Sequence, residues 1–164
     1  MIRKSNIFDK QGITDLINAA FGDRTERDFL SNIENGRYFV YELEGKIIAM
    51  TGLSNDTVHT GYEIDWTCTH PDYRRNGVMH ELFAEMLKDI VNVNIYCSCW
   101  RIHDRDKINL YKLMKDFGFV CIASDYKSCN FTNCGCRNVR DCVYYIKNCK
   151  CYEDLYMKNC DISE

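Results

Sequence analysis

Apolar residues in this chain recur at two spacings, and the switches between them divide it into elements. Ile13, Leu16, Ile17 and Ala20 are three and four apart, which predicts an amphipathic helix over 10–21 after a first strand at 2–8, with Asp9 able to cap it. Phe29, Leu30 and Ile33 predict a short second helix, with Thr25 and Asp28 as its capping signal and Gly36 as its stop. Residues 37–43 and 46–53 flank Glu44-Gly45 and read as a β-hairpin. A polar loop over 55–60 follows.

The most strongly patterned stretch runs from Tyr62 to Leu87. It reads as a strand, a turn at Pro71, a basic loop ending in Gly77, and a helix reaching about Val91. Met79, Leu82, Phe83, Met86, Leu87 and Ile90 form one continuous apolar stripe on that helix. Beyond it, alternation over 93–100 predicts a strand. Leu110, Tyr111, Met114 and Phe117 predict a helix over 104–117, stopped by Gly118. Residues 119–126 read as a strand, with 142–147 as its antiparallel partner and a last short helix at 152–158. The order predicted is β α α β β β α β α β β, in one domain covering 1–164, with no internal repeat.

Composition narrows the function classes. The 164 residues carry a net charge of −3, too mild and of the wrong sign for a basic nucleic-acid face. No apolar run is long enough to span a membrane, and the N-terminus lacks an apolar signal core. The expected location is the cytosol, with neither nucleic acid nor membrane as partner, and a homodimer is compatible with the chain. The 11 cysteines change the picture more. Cys68, Cys97, Cys99 and Cys121 sit in strand-like stretches. Seven crowd into the C-terminal segment 129–160. An odd total without an export signal argues against a secreted disulfide framework. Cys134, Cys136, Cys142, Cys149 and Cys151 form a pool from which a structural zinc could draw four ligands, although C-x-C is a poorer match than C-x₂₋₄-C. Inert thiols, or a pair that oxidises, account for the same pattern.

The basic glycine loop carries the sharper chemistry. Backbone amides at a helix start have no intrahelical partner and sit at the positive end of the helix dipole, so strand, loop and helix together can hold a phosphate. Arg74 and Arg75 add positive charge. The run Thr69-His70-Pro71-Asp72-Tyr73-Arg74-Arg75-Asn76-Gly77-Val78-Met79 resembles the V-x-P-x-Y-R-x-x-G-x-G/A signature of the GNAT N-acetyltransferase superfamily. Gly118-Phe119 after a helix resembles that family's second signature. The element order is similar over about 1–147. Met79 departs from the usual Gly or Ala.

The resemblance implies an α/β (α+β) fold, a mixed central sheet of about seven strands flanked by helices, here with a Cys-rich insertion and C-terminal tail. It also implies acetyl-CoA as co-substrate. The amides of Arg75, Asn76, Gly77, Val78 and Met79 would hold the pyrophosphate, aided by Arg74, and Thr69 would offer its backbone to the pantetheine arm. The tyrosine that in the family faces the thioester sulfur falls on Met114, and the usual Asn falls on Lys107. Tyr111, one turn earlier, is the replacement acid, and is equally an aromatic of the core stripe.

Transfer to an amine needs a base. Glu63 and Asp65 lie two apart and share one strand face. Glu63, six residues before Thr69, is spaced like the catalytic glutamate of the histone-acetyltransferase branch. The same pair reads equally as a solvated strand face. His70, His80 and His103 read as surface residues, and Trp66 as core. The reading is an acetyl-CoA-dependent N-acetyltransferase acting on a small-molecule or protein amine. Its rivals are a GNAT-like module that binds CoA without turnover, and a metal-stapled interaction module.

Overall fold

The computed structural model describes residues 1–21, 33, 37–56, 60–102, 107–108, 110–126 and 152–160. These fall into two compact units, 1–55 with 63–90, and 56–62 with 91–164.

In the first unit, β1 (Ile2–Lys4) pairs antiparallel with β2 (Tyr38–Leu43), and β2 with β3 (Lys46–Asp56). The β2–β3 hairpin turns at Glu44-Gly45, both with positive φ, the backbone that a two-residue type I′ turn requires. β4 (Gly61–Thr69) lies beside β3. Helix α1 (Lys10–Phe21) buries Ile13, Leu16 and Ile17, three of the four positions its spacing predicts, against Tyr38, Val40, Met50 and Cys68. Ile33 joins that core. Helix α2 (Val78–Leu87) buries Val78 and Leu82 against Ile48 and Ala49. The sheet's first unit therefore carries one core on the α1 side and another on the α2 side.

A charged clasp closes the N-terminal end. The Arg3 guanidinium donates two bonds of 2.7 Å to Asp9 and another of 2.7 Å to Glu42. This ties β1, β2 and the turn before α1 together. Arg3, first through its bonds to Asp9, holds that carboxyl below its ordinary value, and the Asn6 amide adds to the effect.

In the second unit, β5 (Asn94–Ile102) pairs antiparallel with β8 (Tyr152–Asn159), which pairs on its other side with β7 (Val120–Tyr126). A two-residue strand β6 (Lys107–Ile108) pairs with the end of β5. Helix α3 (Tyr111–Asp116) buries Leu113 and Met114, and Ile95, Tyr96, Cys97, Cys99, Phe119 and Tyr156 are buried in the same unit.

Two expectations are corrected here. Residues 152–158 form a strand, not a helix: they hydrogen-bond on both sides, to β5 and to β7. The helix expected over 104–117 begins only at Tyr111, because Lys107 and Ile108 are drawn into the ladder with Ile102 and Arg101. The expected strand 142–147 and most of the expected helix near 25–36 lie outside the described residues. The fold class is the one expected, α/β with a mixed sheet of seven principal strands and flanking helices. No helix among the described residues is long and apolar enough to cross a membrane.

Candidate functional site

The end of β4 and the start of α2 form the loop that the sequence singles out. Thr69 ends the strand, and the next amide, His70 N–H, donates to Ile48 O at 2.8 Å. Pro71–Tyr73 form one 3-10 turn. Arg74 then folds back, its Nε donating to Thr69 O at 3.2 Å. That bond closes the loop onto the strand end and engages the Thr69 carbonyl. The chain turns through two left-handed residues, Arg75 at φ 67° and Gly77 at φ 77°. Gly77 is the N-cap of α2. The first intrahelical bond comes from Glu81 N–H to Gly77 O. The amides of Val78, Met79 and His80 therefore precede the helical ladder. A Cβ placed on Gly77 would meet no protein atom within 4 Å. The space in front of the helix start is open, and it is a space that a side chain would fill.

The loop's outer side is also organised. Lys46 Nζ lies 3.2 Å from His70 Nε2 and 5.7 Å from the Tyr73 ring centroid, and the His70 and Tyr73 rings stack edge-on. His70 is thus part of the loop's scaffold rather than a detached surface residue. Burial pushes the Cys68 thiol up to about 12, with the Arg74 charge acting in the opposite direction. Cys68 is a protonated core residue at neutral pH.

Strand β4 carries both predicted carboxylates. Glu63 and Asp65 are each partly exposed. The Tyr38 hydroxyl donates to Asp65 Oδ2 at 3.1 Å. Trp66, next in sequence, has φ 44°. A bulky residue in that region is a genuine outlier. It packs against the α1-side core, edge-on to Phe21 with ring centroids 6.1 Å apart. On the following residue the Thr67 hydroxyl meets Thr51 Oγ1 at 2.9 Å. The Tyr38–Asp65 contact has no local signature in the residue pattern, because its partners are 27 residues apart.

In the second unit, Met114 is fully buried and Tyr111 is 52% exposed. The core positions of α3 are Leu113 and Met114, so the expectation that Tyr111 lies on the core stripe is corrected. Tyr111 is one of several groups around Tyr156. Burial first, and then Cys121, Cys99, Asp154 and Tyr111, push the Tyr156 hydroxyl up to about 12. Cys97 Sγ and Cys99 Sγ, both buried, lie 3.6 Å apart. The candidate zinc ligands Cys134, Cys136, Cys142, Cys149 and Cys151 lie outside the described residues. Among the described residues no group of three or more His, Cys, Asp or Glu could hold a metal ion.

Residues 10–119 match the Acetyltransferase (GNAT) family. Several solved structures share the fold. One is an acetyltransferase of the GNAT family from Bacillus cereus ATCC 10987, with a TM-score of 0.68 and 15% identity, covering 97% of this chain and 96% of that one. The ribosomal-protein-S18-alanine N-acetyltransferase of Escherichia coli gives a TM-score of 0.67 at 15% identity, over 100% and 96% of the two chains. An aminoglycoside 6'-N-acetyltransferase complexed with coenzyme A gives 0.62 at 12% identity, over 96% of each. No curated protein sequence matches the chain.

Proposed function

The chain belongs to the acetyltransferase (GNAT) family, and we propose that it transfers an acetyl group from acetyl-CoA to a primary amine in the cytosol. The observation that carries this reading is the loop at Gly77: left-handed backbone, open space where a Cβ would stand, and helix-start amides beside it. Such a cradle suits a diphosphate, whose charge the helix start favours. The amides of Arg75 to Met79 would hold the pyrophosphate. Arg74 serves mainly as the clasp on Thr69 O, and its charge adds to the field. Thr69 would present its backbone to the pantetheine arm. Bound acetyl-CoA supplies the acyl group as a thioester.

Two residues of this chain would then move protons. Glu63 takes the proton from the ammonium group, directly or through water, because an amine of high pKa is mostly protonated at neutral pH. Tyr111, exposed on α3, gives its hydroxyl proton to the departing CoA thiolate, which leaves as the free thiol. Positioning of amine and thioester contributes more than either, roughly 7–11 kcal/mol in favourable cases.

A second reading is favoured by one observation. Met114, where the family's tyrosine is expected, is sealed in the core and cannot donate a proton. A CoA-binding module without turnover fits that fact. Incubation with acetyl-CoA and a panel of amines, read by free-thiol release, separates the two. Release dependent on an amine supports transfer. Tight CoA binding without release over the whole panel supports the module. Glu63→Gln should lower kcat by roughly 10²–10⁴-fold with CoA affinity unchanged; unchanged kcat would remove Glu63 from the mechanism.

A further inference from the structure

What the acceptor carries besides its reacting amine is written on strand β4. Asp65 is a held carboxylate, receiving the Tyr38 hydroxyl at 3.1 Å. Tyr38 is fully buried and stands on β2, with β3 between it and β4. Its ring crosses that gap because β3 has a glycine beneath it. A Cβ at Gly52 would lie 2.2 Å from Tyr38 Cδ1 and 2.9 Å from Arg37 O. No other residue leaves room. The left-handed Trp66 then brings its indole to the same α1-side core that contains Tyr38, with Phe21 edge-on to it. The result is a partly exposed, oriented carboxylate backed by a phenol, with the indole of the next residue packed on the core that holds that phenol. An organic ammonium group is a ligand that such a carboxylate recognises, through a charge-assisted hydrogen bond.

We propose that Asp65, oriented by Tyr38 through the gap at Gly52, binds a second ammonium group of the acceptor, so that the acceptor is an aliphatic di- or polyamine. The inference rests on the acetyl-transfer reading, with Glu63 at the reacting amine. Two strand residues span about 6.6 Å, roughly the length of a four- to five-carbon spacer. Tyr38 is a positioning residue: it acts through Asp65.

The test is binding without turnover, with turnover alongside. 1,5-Diaminopentane and pentylamine are each titrated calorimetrically into CoA-saturated protein, and thiol release from acetyl-CoA is followed in parallel. The diamine should bind about 10- to 100-fold more tightly than the monoamine, the range for a charged hydrogen bond. Asp65→Asn should abolish that preference and leave CoA affinity unchanged, and Asp65→Glu should restore part of it. Tyr38→Phe keeps the ring and its packing, and should cut the preference several-fold. A purely structural role for Tyr38 would lower stability without touching the ratio of the two affinities. Equal binding of both amines, no binding of either, or a preference that survives Asp65→Asn overturns the proposal. A preference without thiol release supports the Asp65 assignment and overturns acetyl transfer. Thiol release without a preference does the reverse.

Discussion

Replacing Gly77 by alanine separates the two demands made on the loop. The residue has φ 77° and ψ −8°. An L-residue in the left-handed region costs about 1–2 kcal/mol. No protein atom lies within 4 Å of the added methyl, so clash contributes nothing further. Stability should fall by about that amount, a Tm shift of roughly 2–8 °C for a chain of this size. The methyl nevertheless stands in the open space before the amides of Val78 and Met79. Hydrogen bonds to a charged group contribute about 1.5–3 kcal/mol, so losing one weakens CoA binding about 10- to 100-fold. Gly77→Asn is the companion. Asparagine tolerates the left-handed region, so it should recover much of the Tm while its bulk still obstructs the cofactor. Calorimetry with CoA and thermal unfolding of both variants give the two readouts. A folded Gly77→Ala protein with CoA affinity within about twofold of wild type would refute the loop assignment. A stability loss above about 4 kcal/mol would refute the open-space argument.

Three further outcomes follow from the geometry. Asp9→Asn should destabilise the protein by about 1.5–3 kcal/mol at neutral pH, by denaturant unfolding, because Arg3 then loses its ionised partner. The native Asp9 carboxyl lies below its ordinary 3.8, so its contribution is fully present above that value and is lost as pH falls below it; the variant should lack this acid-limb decline, and parallel curves would refute the clasp. Tyr111→Phe should reduce kcat by roughly 10²-fold or more with CoA affinity unchanged, and an unaffected kcat would leave the leaving thiol to water. Alkylation under native conditions, mapped by mass spectrometry, should modify exposed Cys121 well before buried Cys68, Cys97, Cys99 and Cys160, and early labelling of Cys68 would contradict its burial.

The elements legible in the sequence are those whose burial is one-sided. α1 and α2 each pack one face, so their three-and-four spacing survives in the residues they bury. The hairpin was legible because Glu44-Gly45 encodes its own turn. β8 was not. It pairs on both edges, and apolar side chains occupy both its faces: Tyr156 is buried on one, while Leu155 and Met157 are partly buried on the other. Alternation disappears in such a strand, and Tyr152, Leu155 and Tyr156 imitate a helical stripe. The start of the 104–117 helix failed for a related reason. The spacing of its apolar residues is local, whereas the pairing of Lys107 and Ile108 with β5 is not. At the site, the loop was legible from Pro71, Arg74 and Gly77, which act within a few residues of each other. The setting of Asp65 was hidden, since it depends on Tyr38 and Gly52, both on other strands.

The strain at Trp66 ties these observations together. It is the non-glycine residue with positive φ that lies inside a strand among the described residues, and such a residue costs of order 1–3 kcal/mol. Two hydrogen bonds flank it, Tyr38 to Asp65 on one side and Thr51 to Thr67 on the other. The first has a charged acceptor, worth about 1.5–3 kcal/mol, and the second is neutral, about 0.5–1.5 kcal/mol. Together they amount to about 2–4.5 kcal/mol, the same order as the strain, and they hold β4 in its irregular form from both sides. Without that irregularity the period of two would send adjacent side chains to opposite faces. Asp65 and Trp66 could not then both meet the side that holds Tyr38. The irregular backbone therefore lets two neighbours in sequence turn to one side of the sheet, the carboxylate to the Tyr38 hydroxyl and the indole to the core that holds the Tyr38 ring.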